Sequence, residues 1–226
     1  MKIGIFGTGP VGQTLAAKLA SLGHDVFIGT RDPAATLKRN DNDSFGNPPF
    51  RVWKEKHGSI GFDGFAEAAR HGELLINATN GNGALAAIDA AGADAVDGKV
   101  LIDVSNPLDF SRGMPPSLSV CNTDSLGEQI QRAAPRARVV KTLNTVNAHL
   151  MVDPGQLAGG DHTMFVCGND AAAKAEAKAL LEGFGWRDIV DLGDIANARG
   201  TEMYLPLWVR LWMATQSPMF SIKLVR

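Results

Sequence analysis

The sequence is poor in the features that mark several functional classes. Its 226 residues include only two cysteines, Cys121 and Cys167, far apart in the chain. That leaves no disulfide framework and no paired spacing for a metal, and it fits a reduced, cytoplasmic protein. The five histidines, at 24, 57, 71, 149 and 162, form no closely spaced pair, so no metal site is expected. Charge of one sign is lacking too: 22 Lys and Arg stand against 24 Asp and Glu, a formal net charge of −2. Nothing there suggests nucleic acid or an anionic membrane surface as a partner. Long hydrophobic runs are missing. The most apolar stretch, MYLPLWVRLWMA (203–214), contains Pro206 and Arg210 and is too short to span a bilayer. The apolar start runs straight into a glycine turn with no small-residue cleavage site, so no signal peptide is expected.

What is present is glycine, at informative positions. GTGPVG (7–12) follows the alternating, β-branched run Lys2–Phe6 and precedes a segment in which Val11, Leu15, Leu19 and Leu22 recur on one helical face. Strand, glycine turn and helix in that order form the context a dinucleotide site requires. Gly7 permits the tight turn, Gly9 lets the backbone approach a pyrophosphate, and Gly12 allows close packing of helix on strand. The helix N-terminus would then offer free N–H groups to an anion. Gly23 reads as the helix stop and HDVFIG (24–29) as a parallel second strand.

The end of that second strand selects the nucleotide. An NAD site places a carboxylate there for the ribose 2′-hydroxyl, whereas an NADP site needs donors and positive charge for the 2′-phosphate. Thr30 occupies the carboxylate position, Arg31 follows it, and Lys38 and Arg39 lie close behind. A guanidinium can make paired, charge-assisted bonds to phosphate. Asp32-Pro33 reads as an N-cap followed by a first-turn proline, so Asp32 is not expected to serve the ribose. NADP is the expected cofactor.

Beyond residue 40 a polar stretch (40–59) reads as an insertion, with PPFRVWKEKHG as a short helix. Strands at ELLINATN (73–80), KVLIDVSNP (99–107) and ARVVKTLNTV (137–146) then alternate with helices, the pattern of an α/β, Rossmann-type doubly wound, mostly parallel sheet. Three of these strands end in small or amide residues: Ala78-Thr79-Asn80, Ser105-Asn106-Pro107 and Leu143-Asn144-Thr145. In an open α/β sheet ligands bind beyond the carboxyl ends of the strands, so these residues are expected to meet the glycine turn in one crevice. Residues 1–160 read as the dinucleotide-binding domain and 161–226 as a small C-terminal α/β and helical extension packed on it. In its tail Leu205, Trp208 and Trp212 share a face, read as core or a homodimer seam, with a pocket wall as the alternative. Lys141 is the one titratable group nearby that invites a role in the chemistry, but it reads first as a strand lysine with an exposed head.

The chain resembles the NADPH-dependent reductases of the deazaflavin coenzyme F420. The resemblance runs nearly end to end, through GTGPVG, IGTRDP, LINATN, DVSNPL, SRG (111–113), VVKTLNTV, DLGDIANAR and a terminal IKLVR. It is also similar to the cytosolic NADPH-binding domain of the six-transmembrane metalloreductases, especially in VVKTLNTV and LGDIANARGTEMYLPL. The resemblance implies that Thr8, Gly9, Pro10 and Val11 hold the pyrophosphate, Thr30 and Arg31 the 2′-phosphate, and Ala78, Thr79 and Asn80 the nicotinamide side. It implies that Asn106, Pro107 and Asn144 line the junction where an electron acceptor stacks. The longer insertion at 40–59 and the wording of LNTV depart from the family pattern and leave the acceptor open.

The chemistry this implies is hydride transfer between NADPH and a small-molecule acceptor, a deazaflavin such as coenzyme F420. Such a reaction asks for stacking, orientation and a dry site more than for acid–base side chains. Asn144 and Asn80 are the candidates to donate to a carbonyl whose negative charge grows during reduction. Two rivals stand beside this reading: an NADPH-dependent reductase of a flavin, quinone or ferric acceptor, and a non-catalytic NADP-binding redox sensor that contacts a partner through Trp208 and Trp212.

Overall fold

The computed structural model describes residues 1–43 and 46–226. Ser44 and Phe45, inside the insertion expected at 40–59, lie outside the described residues. In chain order the elements are β1 (Lys2–Phe6), α1 (Pro10–Ser21), β2 (Asp25–Thr30), α2 (Pro33–Lys38), α3 (Phe50–Lys56), β3 (Gly61–Gly64), α4 (Phe65–His71), β4 (Leu74–Asn77) and α5 (Gly81–Ala91). They continue with α6 (Ala93–Val96), β5 (Val100–Asp103), β6 (Leu108–Asp109), β7 (Ser117–Leu118), α7 (Leu126–Ala133), β8 (Arg138–Thr142), α8 (Ala148–Val152), β9 (Thr163–Gly168), α9 (Ala171–Phe184), β10 (Asp188–Asp191), α10 (Ala198–Met203) and α11 (Leu205–Thr215).

Eight strands form one sheet in the order β10-β9-β8-β5-β4-β1-β2-β3. All neighbours are parallel except β8 and β9, which run antiparallel with Lys141 opposite Cys167. The strands are apolar on both faces because helices cover both. Ile3, Ile5, Ile28, Ile76, Ile102 and Val140 enter one core with Leu15 and Leu19 of α1 and Leu181 of α9. Phe6, Leu75, Leu101 and Val139 point the other way and pack with Ala68 of α4 and Ile130 of α7. The chain order reverses at β1, which has β2 on one side and β4 on the other. A crevice opens at such a reversal, beyond the carboxyl ends of the strands.

β9 and β10 continue the same sheet, so the C-terminal segment is joined to the nucleotide-binding half by the β8–β9 ladder. The final residues return to that edge, where Thr163 N donates to Ile222 O at 2.9 Å and Leu224 N to Thr163 Oγ1 at 2.9 Å. In the insertion, Phe50 of α3 is buried and stacks on Trp53 and Phe62, with centroids 5.5 and 4.8 Å apart. One element differs from its sequence reading in detail. Leu22, expected on the buried face of the first helix, is its C-cap and is 45% exposed; Gly12, Leu15, Ala16 and Leu19 form that face instead. No helix among the described residues is long and apolar enough to cross a membrane.

Candidate functional site

The glycine turn between β1 and α1 gives each glycine a separate task. Gly7 has φ +121, and a Cβ there would lie 2.6 Å from Ala78 O. At Gly12 a Cβ would lie 2.1 Å from Gly7 O, so only glycine lets α1 approach the turn. At Gly9 the position of a Cβ meets nothing within 4 Å. The protein itself does not require glycine there, and the space beside it is open. Pro10 begins α1 and Gly9 provides no side-chain cap, which leaves first-turn N–H groups directed at that space. Gln13 Nε2 donates to Thr8 O at 2.8 Å and braces the loop.

The turn forms one wall of a cleft of about 520 Å³ whose lining includes Thr8, Val11, Thr30, Arg31, Ala78 and Thr79. Thr30 is buried at the end of β2, with its hydroxyl 3.2 Å from that of Thr36. Asp32 caps α2, its Oδ1 accepting from Ala35 N at 2.8 Å, which commits the carboxylate as its sequence position suggested. Exposed Arg31 and Arg39 complete the far end of the cleft. A loop open where a pyrophosphate must pass, an uncapped helix N-terminus and two guanidinium groups together fit a dinucleotide with an extra phosphate.

A second cavity, about 450 Å³, adjoins the first: Val11, Ala78, Thr79 and Asn80 line both. Its wall carries five asparagines, at 80, 82, 106, 144 and 147. Asn80 Oδ1 caps α5 through Gly83 N at 2.9 Å. Asn106 and Asn144 are locked together, with Asn106 Nδ2 donating to Asn144 O at 2.9 Å and Asn144 Nδ2 to Asn106 Oδ1 at 3.0 Å. Leu143, just before Asn144, has φ +61 although it is buried and not glycine. Such a conformation costs about 1–3 kcal/mol, and it persists where surrounding structure holds it. Leu205 and Trp208 form the apolar side. Among the described residues no ionisable side chain lines this cavity.

Most of the residues singled out in the sequence thus meet at one edge of the sheet. Pro107 does not reach it: the residue is buried and outside the lining, and its carbonyl accepts from Ser119 N at 2.8 Å. Lys38, too, lies outside the cleft that Arg31 and Arg39 reach. Of the three tail residues read on one face, Leu205 and Trp208 line the cavity and Trp212 does not.

Lys141 corrects the sequence reading outright. Its head is not exposed; the side chain is fully buried, between Asp103 Oδ2 at 2.7 Å and Glu202 Oε1 at 2.8 Å. Burial by itself would lower its pKa, but the two carboxylates outweigh that and hold it above the ordinary lysine value. On the adjoining strand, burial pushes the Cys167 thiol up to about 12. The sequence reading missed Asp103 and Glu202. Asp103 opens DVSNPL and Glu202 stands in GTEMYLPL, but no spacing rule joins residues that far apart.

The comparisons agree with this geometry. The family model described as NADP oxidoreductase, coenzyme F420-dependent, matches residues 2–107. The chain is 28% identical over 218 residues to the F420-dependent NADP reductase of Methanothermobacter marburgensis, covering 93% of this chain and 92% of that protein. It is 27% identical over 212 residues to the metalloreductase STEAP3 of Rattus norvegicus, but that match spans 92% of this chain and only 38% of the rat protein. A crystal structure from Arthrobacter sp. FB24, of a candidate F420-dependent NADP reductase, superposes with a TM-score of 0.95 at 57% identity, covering both chains completely. With a dinucleotide cleft and an adjoining second cavity on that fold, the chain belongs to the F420-dependent NADP oxidoreductase family and is an NADP-dependent oxidoreductase.

Proposed function

We propose that the protein transfers hydride between NADPH and a deazaflavin of the coenzyme F420 type, held in the second cavity. The observation that carries this reading is the lining of that cavity: amide groups and apolar side chains, with no ionisable group among the described residues. A deazaflavin ring is flat and presents carbonyl and N–H groups along one edge, which asparagine amides can match in either sense. A ferric chelate would call for charged or ligating side chains, so this lining disfavours it.

In this reading Thr8, Gly9, Pro10 and Val11 hold the pyrophosphate, Thr30 and Arg31 the 2′-phosphate, and Ala78, Thr79 and Asn80 the nicotinamide side. NADPH supplies the hydride, two electrons and one proton; the second proton needed to complete the reduced deazaflavin comes from solvent. Asn144, braced by Asn106, and Asn80 orient the acceptor through its carbonyl edge. Trp208 and Leu205 exclude water from its far side. The protein's part is then positioning and desolvation. We further propose that the apolar C-terminal segment pairs with a second copy of the chain through the exposed Leu207 and Leu211 of α11, which sedimentation would test.

The test of function is NADPH oxidation followed by absorbance, with NADH as control and coenzyme F420, FMN, FAD and a quinone supplied separately. Turnover with coenzyme F420 in preference to the others supports the reading. Turnover only with a flavin or a quinone overturns the deazaflavin assignment and keeps the oxidoreductase.

A further inference from the structure

Behind the two cavities lies a buried polar network that hydride chemistry does not itself require. Lys141 Nζ directs its three N–H bonds at Asp103 Oδ2, Glu202 Oε1 and the carbonyl of Ser105, the last at 2.6 Å. Both carboxylates extend the network. Asp103 Oδ1 accepts from Asn77 Nδ2 at 2.8 Å and Ser105 Oγ at 2.7 Å, and Asn77 Oδ1 accepts from Thr79 Oγ1 at 2.7 Å. In the opposite direction Glu202 accepts from the N–H groups of Leu126 and Gly127, at 2.8 and 3.0 Å, in the first turn of α7. Asn77, Asp103, Lys141 and Glu202 are all within 1% of complete burial.

One cation with two carboxylates, removed from water, gives little net stability over apolar residues of the same shape. What it does give is geometry, because every donor and acceptor must be met at a fixed distance. The two ends of the network fall on opposite sides of the second cavity. Thr79 and Ser105 line its strand-end floor, and Thr79 lines the nucleotide cleft as well. Glu202 stands on α10, three and six residues ahead of Leu205 and Trp208, which form the facing wall.

We propose that Lys141 is a positioning residue, which fixes the α11 wall relative to the Thr79–Ser105 floor by holding Glu202 and Asp103 on one ammonium group. The inference rests on the second cavity being the acceptor site. Its consequence is selective. Thr79 links the network to the nucleotide cleft, while Gly7, Gly9, Gly12 and Arg31 stand apart from it, so disturbing the network spares nucleotide affinity and slows the chemical step. A misplacement of about 1 Å is enough to cost about a hundredfold in rate.

Lys141→Met leaves two buried carboxylates without a cation and is expected to fold poorly, so the informative variant is Glu202→Gln, which keeps shape and the Lys141–Asp103 pair. Four quantities are compared with the parent chain: NADPH affinity by fluorescence titration, kcat with coenzyme F420, the deuterium isotope effect with C4-deuterated NADPH, and hydrogen exchange of residues 198–215 by mass spectrometry. The proposal expects NADPH affinity within about twofold, kcat lowered by about tenfold or more, a larger isotope effect, and faster exchange in that segment. Unchanged kcat and isotope effect with only a lower Tm would make the network merely structural and overturn the proposal, as would loss of NADPH affinity in step with kcat. Should the parent chain fail to reduce coenzyme F420, that failure belongs to the functional reading, and exchange decides this one. Unchanged protection of 198–215 overturns it, and faster exchange with intact NADPH affinity supports it.

Discussion

The nucleotide cleft and the proposed acceptor cavity touch, yet they are assembled by different rules. The cleft comes mostly from one contiguous stretch, the first two strands and the helix between them, and it works through backbone: a turn, a helix N-terminus, an empty position at Gly9. The acceptor cavity draws side chains from the ends of β4, β5 and β8 and from α8 and α11, more than a hundred residues apart. The first can be read locally, and the two guanidinium groups in its lining, Arg31 and Arg39, stand at one end of it. The second depends on long-range packing, and among the described residues its lining carries no charge, while charge is concentrated behind it.

The sharpest way to break the comparison is at the glycines. Gly9→Val places its side chain in open space, so the chain is expected to keep its Tm and lose both NADPH and NADH; calorimetric titration and a melting curve check this together. Gly12→Val is its counterpart and is expected to lose the fold, because Gly7 O lies 2.1 Å from the new Cβ. Next in size is Arg31→Ala. A charge-assisted hydrogen bond is worth about 1.5–3 kcal/mol, so NADPH affinity should fall by about ten- to a hundredfold. NADH affinity should scarcely move; an equal loss for both nucleotides would remove the 2′-phosphate assignment.

On the acceptor side, Asn144→Ala removes one neutral hydrogen bond to Asn106, about 1 kcal/mol, so kcat/KM for the acceptor should drop about fivefold with NADPH affinity unchanged. The smallest expected effect concerns Cys167, on β9 opposite Lys141. With its thiol held up to about 12, Cys167 keeps its proton at pH 7–9, and a thiol reagent should label exposed Cys121 alone until the protein is denatured. The sign of the linkage follows. Unfolded chains release this proton near pH 9 and the native chain does not, so stability falls as pH rises from about 9 toward 12.

How much of this was legible in the sequence follows the same division. Lys2–Phe6, the glycine turn and Asp32-Pro33 are read correctly because a strand, a turn and a cap are set by neighbours within a few residues. Leu22 is misread because periodicity alone does not say where a helix stops, and here the last apolar position is the cap. Lys141 is misread for a deeper reason. A lone lysine in a strand is ordinarily solvated, and only the fold brings Glu202, 61 positions later, to its ammonium group. The asparagines at 80, 106 and 144 were visible as strand ends, but Asn82 and Asn147 were not, since neither ends a strand. Pro107 reads as part of the same strand end as Asn106, but it is buried and outside the lining.

Val11, Ala78, Thr79 and Asn80 belong to both chambers, so no protein layer thicker than a residue separates them. That thin partition dictates a rate law. Among the described residues neither chamber is lined by a thiol that could store reducing equivalents between visits, since Cys121 and Cys167 line neither. In the proposed reaction both reactants are then aboard together, and double-reciprocal plots against one at fixed levels of the other are expected to intersect instead of running parallel.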